Sequence, residues 1–383
     1  MKKLLIATLL IVSILQAASS APLHFVFGDM SRHPEVMKGF FPTYLLAGAG
    51  YDLKPLLEGN RTELQFLFGA GYQERKLWQD PVSGEIIYDN PIIYDTLRSD
   101  LVVRLKQGLG DSRVRNKDLL TFTLSGEIKA ESNIDSMVKG KYRDNYNSHK
   151  VLSLDNYIGD DYRGNIYPDL RGDRNYLGTF LSFQIRYDQM DDRKTASDGF
   201  LATLDLKHAP EIINRDSDFN LIRLNAVASK TVYEKLSNGR NLFSITIIDR
   251  ANLTYLTGSK IPVAVQEPTA LGRLVRGFNY YTYGTELAVV NNFDIRFAGP
   301  DMKGKGIFPR MNLFFDIGYG TGDYYNTSIH DENFLSSCGV QITISFFDFM
   351  DLGYQVAYLS SGDKFSEGPD KKLVGSFTFF LDF

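Results

Sequence analysis

The sequence alternates between apolar and polar residues with a period of two, over stretches of about 8 to 14 residues. In residues 311–319 the odd-numbered positions are all apolar, whereas the even-numbered positions include Asn312, Asp316 and Gly318. Residues 62–72, 200–207 and 286–297 show the same alternation, and helical periodicity is scarce. Because successive side chains of a β-strand point to opposite sides, the pattern predicts strands with one apolar and one charged face. The fold is therefore expected to be all-β.

Two all-β architectures produce such strands. A soluble sandwich buries the apolar face against a second sheet, whereas a transmembrane barrel turns it to lipid and keeps a polar lumen. The alternating segments are long, and a tilted membrane strand needs about 9–11 residues against about 5–6 in most soluble proteins. The apolar faces are also rich in aromatic residues, which include 27 Phe and 22 Tyr. We therefore predict an antiparallel transmembrane β-barrel in the bacterial outer membrane, with an exported sandwich as the alternative.

The last residues support the barrel. The sequence "GSFTFFLDF" ends the chain on an aromatic residue and places four apolar side chains on one face: Phe377, Phe379, Leu381 and Phe383. A terminal strand of this kind resembles the C-terminal signal of bacterial outer-membrane barrels.

The alternation also predicts where the strands lie: 43–55, 60–75, 92–109, 119–132, 175–190, 199–210, 219–235, 241–258, 285–299, 311–322, 334–347, 350–360 and 372–383. Single-chain bacterial barrels have an even number of strands, and residues 23–29 are the remaining candidate. We therefore expect about 14 strands, with 12 and 16 as alternatives. From a periplasmic C-terminus, this order places the connections 133–174 and 259–284 outside the cell.

The N-terminus predicts export. Lys2 and Lys3 precede an apolar run from Leu4 to Leu15, which small residues follow. This is the order of a secretory signal peptide, which we assign to residues 1–20, leaving 21–383 as a single barrel domain. The formal net charge of −4 and the lack of a basic stripe give no reason to expect a nucleic-acid partner.

The connection 259–284 carries a motif that a plain solvated loop would not need: Val275, Arg276, Gly277 and Phe278. The second strand after it contains "FFDIG", in which the alternation turns Asp316 toward the lumen. If the connection folds back into the barrel, the Arg276 guanidinium can form a bidentate pair with the Asp316 carboxylate. Gly277 would allow a tight turn, and Phe278 would pack on the inner wall. We therefore predict an inward-folded, plug-like loop.

These two motifs, in this order, resemble those of the bacterial surface antigen superfamily, which includes the assembly protein BamA and the two-partner-secretion transporters. In that superfamily an inward-folded loop carries the arginine and a later strand carries the aspartate. Arg276 matches the first motif; Phe314, Asp316 and Gly318 match the second. The superfamily places five strands after the loop, as the alternation predicts here. The resemblance covers residues 241–383, and the front half only by general pattern.

The segment "NNFDIRF" resembles the strand that usually follows this loop, with Asp294 in the acidic position and Arg296 after it. The resemblance implies a barrel that aids insertion or transport of polypeptide or lipid at the outer membrane, without a cofactor. Its partners would be outer-membrane lipids and a periplasmic protein. The chain departs from the superfamily in one respect: about 20 residues before the first clear strand leave no room for periplasmic polypeptide-transport-associated domains, which we expect to be missing.

Nothing in the sequence predicts an enzyme. None of the five histidines lies in a recognisable nucleophile or base motif, and no Gly-x-Ser-x-Gly occurs. Asp155, Asp160 and Asp161 could bind calcium, but a solvated loop is the simpler interpretation, and Cys338 alone forms neither a disulfide nor a cysteine-based metal site. We therefore expect no catalytic residue and no metal. Two other functions remain open: a passive porin-like channel, and a surface structural or adhesive protein that uses the 133–174 loop.

Overall fold

The computed structural model describes these residues: 23–27, 44–53, 61–77, 92–111, 118–135, 152–153, 170, 175–191, 197–214, 217–266, 269–278, 283–302, 306–322, 334–346, 350–363 and 371–381. The predicted signal peptide, Phe383 and most of the 133–174 connection lie outside them.

Fifteen strands make up almost all of the described chain. They are β1 Leu23–Phe27, β2 Tyr44–Leu53, β3 Thr62–Leu77, β4 Ile92–Asp111, β5 Asp118–Asp135, β6 Leu152–Ser153, β7 Asn175–Asp188, β8 Gly199–Ala209, β9 Asp218–Ser237, β10 Arg240–Lys260, β11 Leu287–Ala298, β12 Ile307–Thr321, β13 Phe334–Phe346, β14 Met350–Asp363 and β15 Lys371–Leu381. Two short helices, α1 Val263–Gln266 and α2 Leu271–Leu274, lie between β10 and β11.

All strands belong to one sheet. Each long strand pairs antiparallel with its neighbour in the chain, from β1 at one end of the order to β15 at the other. The two-residue strand β6 is the exception, since it pairs in parallel with the start of β4. Every predicted strand is present, and the prediction of about 14 strands is confirmed. The sequence did not predict β6, which lies in the long 133–174 connection.

One face of the sheet is apolar and exposed, and the other face is charged and buried. On β12, Met311, Leu313 and Phe315 are 37%, 39% and 47% exposed, whereas Asp316 is completely buried. The same contrast recurs around the sheet, whose buried face carries Arg75, Asp95, Asp100, Lys129, Glu131 and Asp294. A sandwich would bury its apolar face and expose its charges, so that alternative is wrong. Apolar side chains that face outward and charges that face a lumen are typical of a transmembrane barrel.

A two-residue turn joins β9 and β10 into a long hairpin. Asn238 and Gly239 form a two-residue turn in which both φ angles are positive, 51° and 74°. This combination belongs to the type I′ turn, whose twist matches that of paired strands. Pairing therefore continues up to the turn, where Arg240 is opposite Ser237.

The described helices have only four residues each. In the part of the chain that the structure describes, no helix is long and apolar enough to cross a membrane.

Candidate functional site

The described residues of the connection between β10 and β11, which are 261–266, 269–278 and 283–286, lie against the inner face of the sheet. One apolar cluster fixes it there: Leu271, Val275, Phe278 and Tyr283 of the connection pack against Ala288, Val290, Phe314, Leu335, Ala357 and Leu359 of β11 to β14. Val275 is 0% and Phe278 7% exposed. Burying each such side chain stabilises the arrangement by about 1.5–3 kcal/mol. The connection therefore occupies the lumen, as the sequence predicts; we call it the plug loop.

The backbone of the plug loop turns sharply just before the motif. The N–H of Val275 donates to the carbonyl of Leu271, which closes α2, and the N–H of Leu271 donates to the carbonyl of Tyr283. The rings of Phe278 and Tyr283 meet edge to face, with 5.7 Å between centroids. Arg276 follows directly after this turn.

Arg276 donates three hydrogen bonds to Asp316 of β12. Its Nε donates to Oδ2 of Asp316 at 2.8 Å, and its Nη2 donates to Oδ1 at 2.6 Å. The backbone N–H of Arg276 also donates to Oδ2 at 2.9 Å. A guanidinium that meets both carboxylate oxygens forms the stronger, directional type of ion pair. The Asp316 side chain is fully buried and that of Arg276 is 21% exposed, so water screens this pair weakly.

The same guanidinium reaches a second carboxylate. Nη1 of Arg276 donates to Oδ1 of Asp294 on β11 at 2.7 Å. The other oxygen of Asp294 accepts from Nη1 of Arg250 on β10. Burial disfavours the charged form of Arg276, but hydrogen bonds and charges from Asp316 and Asp294 outweigh it and raise the pKa of Arg276. The loop arginine therefore remains charged and links to two adjacent strands of the wall.

An aromatic ring completes the site. The centre of the Arg276 guanidinium lies 4.1 Å from the centroid of the Phe314 ring. This is cation–π geometry, and Phe314 itself is only 4% exposed. Phe314 and Asp316 share the inner face because they are two residues apart on β12. The Phe-x-Asp spacing thus supplies both a ring face and a carboxylate to one guanidinium.

The two motif glycines allow the loop and the wall to approach each other. Gly277 has a φ of 94°, and a Cβ there would lie 2.6 Å from Cβ of Ala357. At Gly318 on β12, a Cβ would lie 2.7 Å from Cγ2 of Val275. A larger residue at either position would push the plug loop away from the wall.

The structure thus brings together seven of the residues selected from the sequence: Val275, Arg276, Gly277, Phe278, Phe314, Asp316 and Gly318. Asp294 joins them through its bond to Arg276. Arg296 does not, although it also faces the lumen. Sequence reasoning missed Arg250, and it missed Asn292, whose Nδ2 donates to the carbonyl of Leu274.

The C-terminal signal lies elsewhere. Phe377 on β15 is 72% exposed, and its ring meets that of Tyr354 on β14 edge to face at 5.0 Å. Phe379 and Leu381 belong to β15, but their side chains lie outside the described part of the chain. Among the described residues, no group of three or more His, Cys, Asp or Glu side chains could hold a metal ion.

Comparison with known proteins gives a family match and distant structural matches. The family model described as the Omp85 superfamily domain matches residues 54–346. No curated protein matches the sequence. Among solved structures, BamA from Haemophilus ducreyi lacking POTRA domains 1–3 is 11% identical, with a TM-score of 0.49 over 88% of this chain and 62% of that one. CdiB from Acinetobacter baumannii is 12% identical, with a TM-score of 0.43 over 88% and 50%. The chain thus spans about half to six-tenths of these structures.

Proposed function

We propose, from the premise that the chain belongs to the Omp85 superfamily, that this outer-membrane barrel aids the insertion or transport of polypeptide or lipid at the outer membrane. The family match covers residues 54–346 and agrees with the resemblance to assembly and secretion barrels. The specific role at the membrane is our proposal.

The observation that carries the proposal is the attachment of the plug loop. Arg276 joins the loop to two strands of the wall, through Asp316 and Asp294. In this proposal the loop is released when the guanidinium leaves both carboxylates. A barrel whose lumen is filled by a releasable loop can open for a large substrate and otherwise remain closed. This behaviour suits the passage of a polypeptide segment or a lipid chain.

A reconstitution experiment tests the proposal. The full chain in proteoliposomes should increase the rate at which an unfolded outer-membrane barrel, added from outside, becomes membrane-inserted and resistant to protease. Arg276→Ala should raise that rate by about tenfold or more, since release of the loop then no longer breaks the contacts to Asp316 and Asp294, which exceed the ~1.4 kcal/mol that corresponds to tenfold. Arg104→Ala is the matched control, because this inner-face arginine of β4 lies away from the plug loop. Wild-type vesicles that insert no faster than empty ones would refute the proposal.

A passive channel is the second candidate. The polar inner face favours it, because Asp100, Lys129 and Glu131 line it as charged groups. Planar-bilayer recordings separate the two candidates. A channel would give steady single-channel conductance in the wild type and a larger conductance in Arg276→Ala, whereas a closed translocation barrel should be electrically silent in the wild type.

The proposed function requires neither a catalytic residue nor a cofactor. Its proposed partners are outer-membrane lipids, which the exposed apolar outer face fits, and a periplasmic protein that delivers the substrate. Recovery of such a protein by cross-linking in intact cells is the expected outcome. No described residue favours the adhesive function, because most of the 133–174 loop lies outside the described part of the chain.

A further inference from the structure

Four arginines lie on the inner face of β10 to β12 and at the tip of the plug loop. Three of them hold a carboxylate: Arg276 holds Asp316, Arg250 holds Asp294 and Arg310 holds Asp351. Arg276 uses a fork of N–H donors on Asp316, whereas Arg250 and Arg310 each reach one carboxylate oxygen through one terminal nitrogen. The wall therefore has a consistent chemistry, in which every paired guanidinium binds a carboxylate.

Arg296 is the exception. It lies on β11 two residues from the end of the strand, close to the connection 299–306 and at the strand end opposite to the connection 259–284 that is predicted to lie outside the cell. Within the described residues, its guanidinium makes no hydrogen bond and no ion pair, and its Nε is buried without a partner. The rest of the side chain is only partly buried, so a ligand in the lumen can reach it.

The carboxylates near Arg296 already pair with other arginines. The charges that act on Arg296 are those of Arg310, Arg250, Asp294 and Asp351. Asp294 gives one oxygen to Arg276 and the other to Arg250. Asp351 pairs with Arg310 and accepts a hydrogen bond from Ser345.

Four guanidiniums thus face three carboxylates in this part of the wall. A half-buried charge without a partner is unfavourable, and a carboxylate brought by a ligand would relieve it.

The cross-strand neighbours of Arg296 are polar as well. Thr246 on β10 and Asn312 on β12 are directly opposite it. Oδ1 of Asn312 is buried without a partner, while its Nδ2 is 3.5 Å from Gln341. The Asn312 side-chain amide carries both an N–H donor and a carbonyl acceptor, so it can offer either to a ligand. The surface around Arg296 is therefore equipped for a polar ligand.

We propose that Arg296, flanked by Arg250 and Arg310, binds a carboxylate of an acidic polypeptide segment as it enters the lumen. This inference rests on the proposed function and names the class of substrate. A polypeptide carboxylate fits better than a lipid phosphate, because the paired arginines of this wall all match carboxylates. The site also lies on the inner face, away from the apolar outer face that meets lipid.

Peptide binding to the full chain in detergent tests the proposal. The probe is a fluorescein-labelled 12-residue peptide with four aspartates and a free C-terminus. The matched peptides carry asparagine in place of aspartate, or an amidated C-terminus, which separates side-chain from terminal carboxylates. The acidic peptide should bind about tenfold tighter than the asparagine peptide, as expected for one charge-assisted hydrogen-bonded pair.

Arg296→Gln should remove this preference, and Arg296→Lys should keep part of it because the charge remains. Arg104→Gln, on the inner face of β4, should bind both peptides as the wild type does. Gel heat-modifiability confirms that each variant is a folded barrel. Equal binding of the acidic and asparagine peptides by the wild type would overturn the proposal, as would an unchanged preference in Arg296→Gln.

Competition with inorganic phosphate covers the other ligand chemistry. Phosphate that binds tightly while the acidic peptide does not would assign the site to phosphate and refute the carboxylate proposal. The insertion assay separates the two levels of inference. If the wild type promotes insertion but binds the acidic and asparagine peptides equally, the site alone is refuted. If the wild type does not promote insertion, the proposed function is refuted.

Discussion

Two regions of the inner wall use the same charged groups to different ends. On β4, β5 and β8, the wall binds to itself: Lys207 donates to Glu127 at 2.8 Å, and Arg98 donates to Asp100 at 2.6 Å. On β11 and β12, the wall binds to the plug loop through Arg276. The ion pairs of the first region join residues of the barrel scaffold. Those of the second region join the scaffold to the plug loop on its inner face.

The difference teaches what an ion pair does in this molecule. A pair within the scaffold stabilises the barrel and has no second state short of unfolding. A pair between loop and scaffold can break while the barrel remains folded, because β10 and β11 still pair with each other through their own hydrogen bonds. Position in the fold, rather than strength, decides whether a pair can break without unfolding the barrel.

The largest expected effect follows from removing Asp316. Asp316→Ala leaves Arg276 without its bidentate partner and should destabilise the docked loop by about 3–5 kcal/mol. Arg276→Ala should give a similar loss, and the double variant should be little worse than either single one, since both remove the same interaction. Hydrogen exchange measures this: amides of residues 271–278 should exchange at least about a hundredfold faster while the strands stay protected. Additive losses would contradict the pairing.

Gly277→Ala should have the next largest effect. The substitution combines a positive φ with overlap against Ala357, which together should weaken loop docking by about 2–4 kcal/mol. Gly239→Ala is the matched control, because its φ of 74° is also positive but nothing lies within 4 Å of the added carbon. The control should lose only about 1–2 kcal/mol of the free energy of unfolding. Equal effects at the two sites would mean that the loop does not approach the wall as described.

Removing the Lys207–Glu127 pair of the scaffold should have a smaller effect, on the free energy of unfolding rather than on loop docking. Lys207→Met removes a charged hydrogen bond to Glu127 and a contact with the Phe180 ring at 4.2 Å. The Lys207 and Glu127 side chains are 20% and 13% exposed, so the loss in the free energy of unfolding should be about 1–3 kcal/mol. Denaturant unfolding should show this loss, and exchange in residues 271–278 should not change. Faster exchange there would break the distinction between the two regions.

The smallest effect should come from the outer face. Phe377→Ala removes the edge-to-face contact with Tyr354, for which we expect a loss of about 0.5–1.5 kcal/mol. Phe68→Ala is the control, because it also removes an aromatic side chain from the exposed outer face, here on β3. If Phe377 also acts as a C-terminal signal, its variant should reach the outer membrane at a lower level than Phe68→Ala. Equal levels would show that Phe377 contributes packing alone.

The sequence predicts most of the fold because the governing signal is local. Alternation with a period of two assigns each strand residue to one face, and this put Asp316 in the lumen and Phe315 outside. Strand ends were predicted less accurately. β10 begins at Arg240, one residue before the predicted 241, because the Asn238–Gly239 turn allows pairing to continue up to the turn, and it ends at Lys260, two residues beyond the predicted 258.

The partners of the site residues were harder to predict. The motif order suggested that Arg276 meets Asp316, but nothing local indicated that Asp294 would be shared with Arg250. That sharing depends on strand register, which sets Arg250 opposite Asn292 and next to Asp294. Alternation gives the face of a residue and not its cross-strand neighbours. For the same reason, the sequence did not indicate that Arg296 has no carboxylate partner among the described residues.

A disulfide between the plug loop and the wall tests the central claim most directly. Val275→Cys and Gly318→Cys, with Cys338→Ser to remove the native thiol, place two sulfurs within bonding reach, because a Cβ at Gly318 approaches the Val275 side chain. We predict that the oxidised barrel promotes no insertion in proteoliposomes, that reduction restores activity, and that the Val275→Cys single variant remains active throughout. An oxidised, fully cross-linked barrel as active as the reduced one would show that the loop need not leave the lumen.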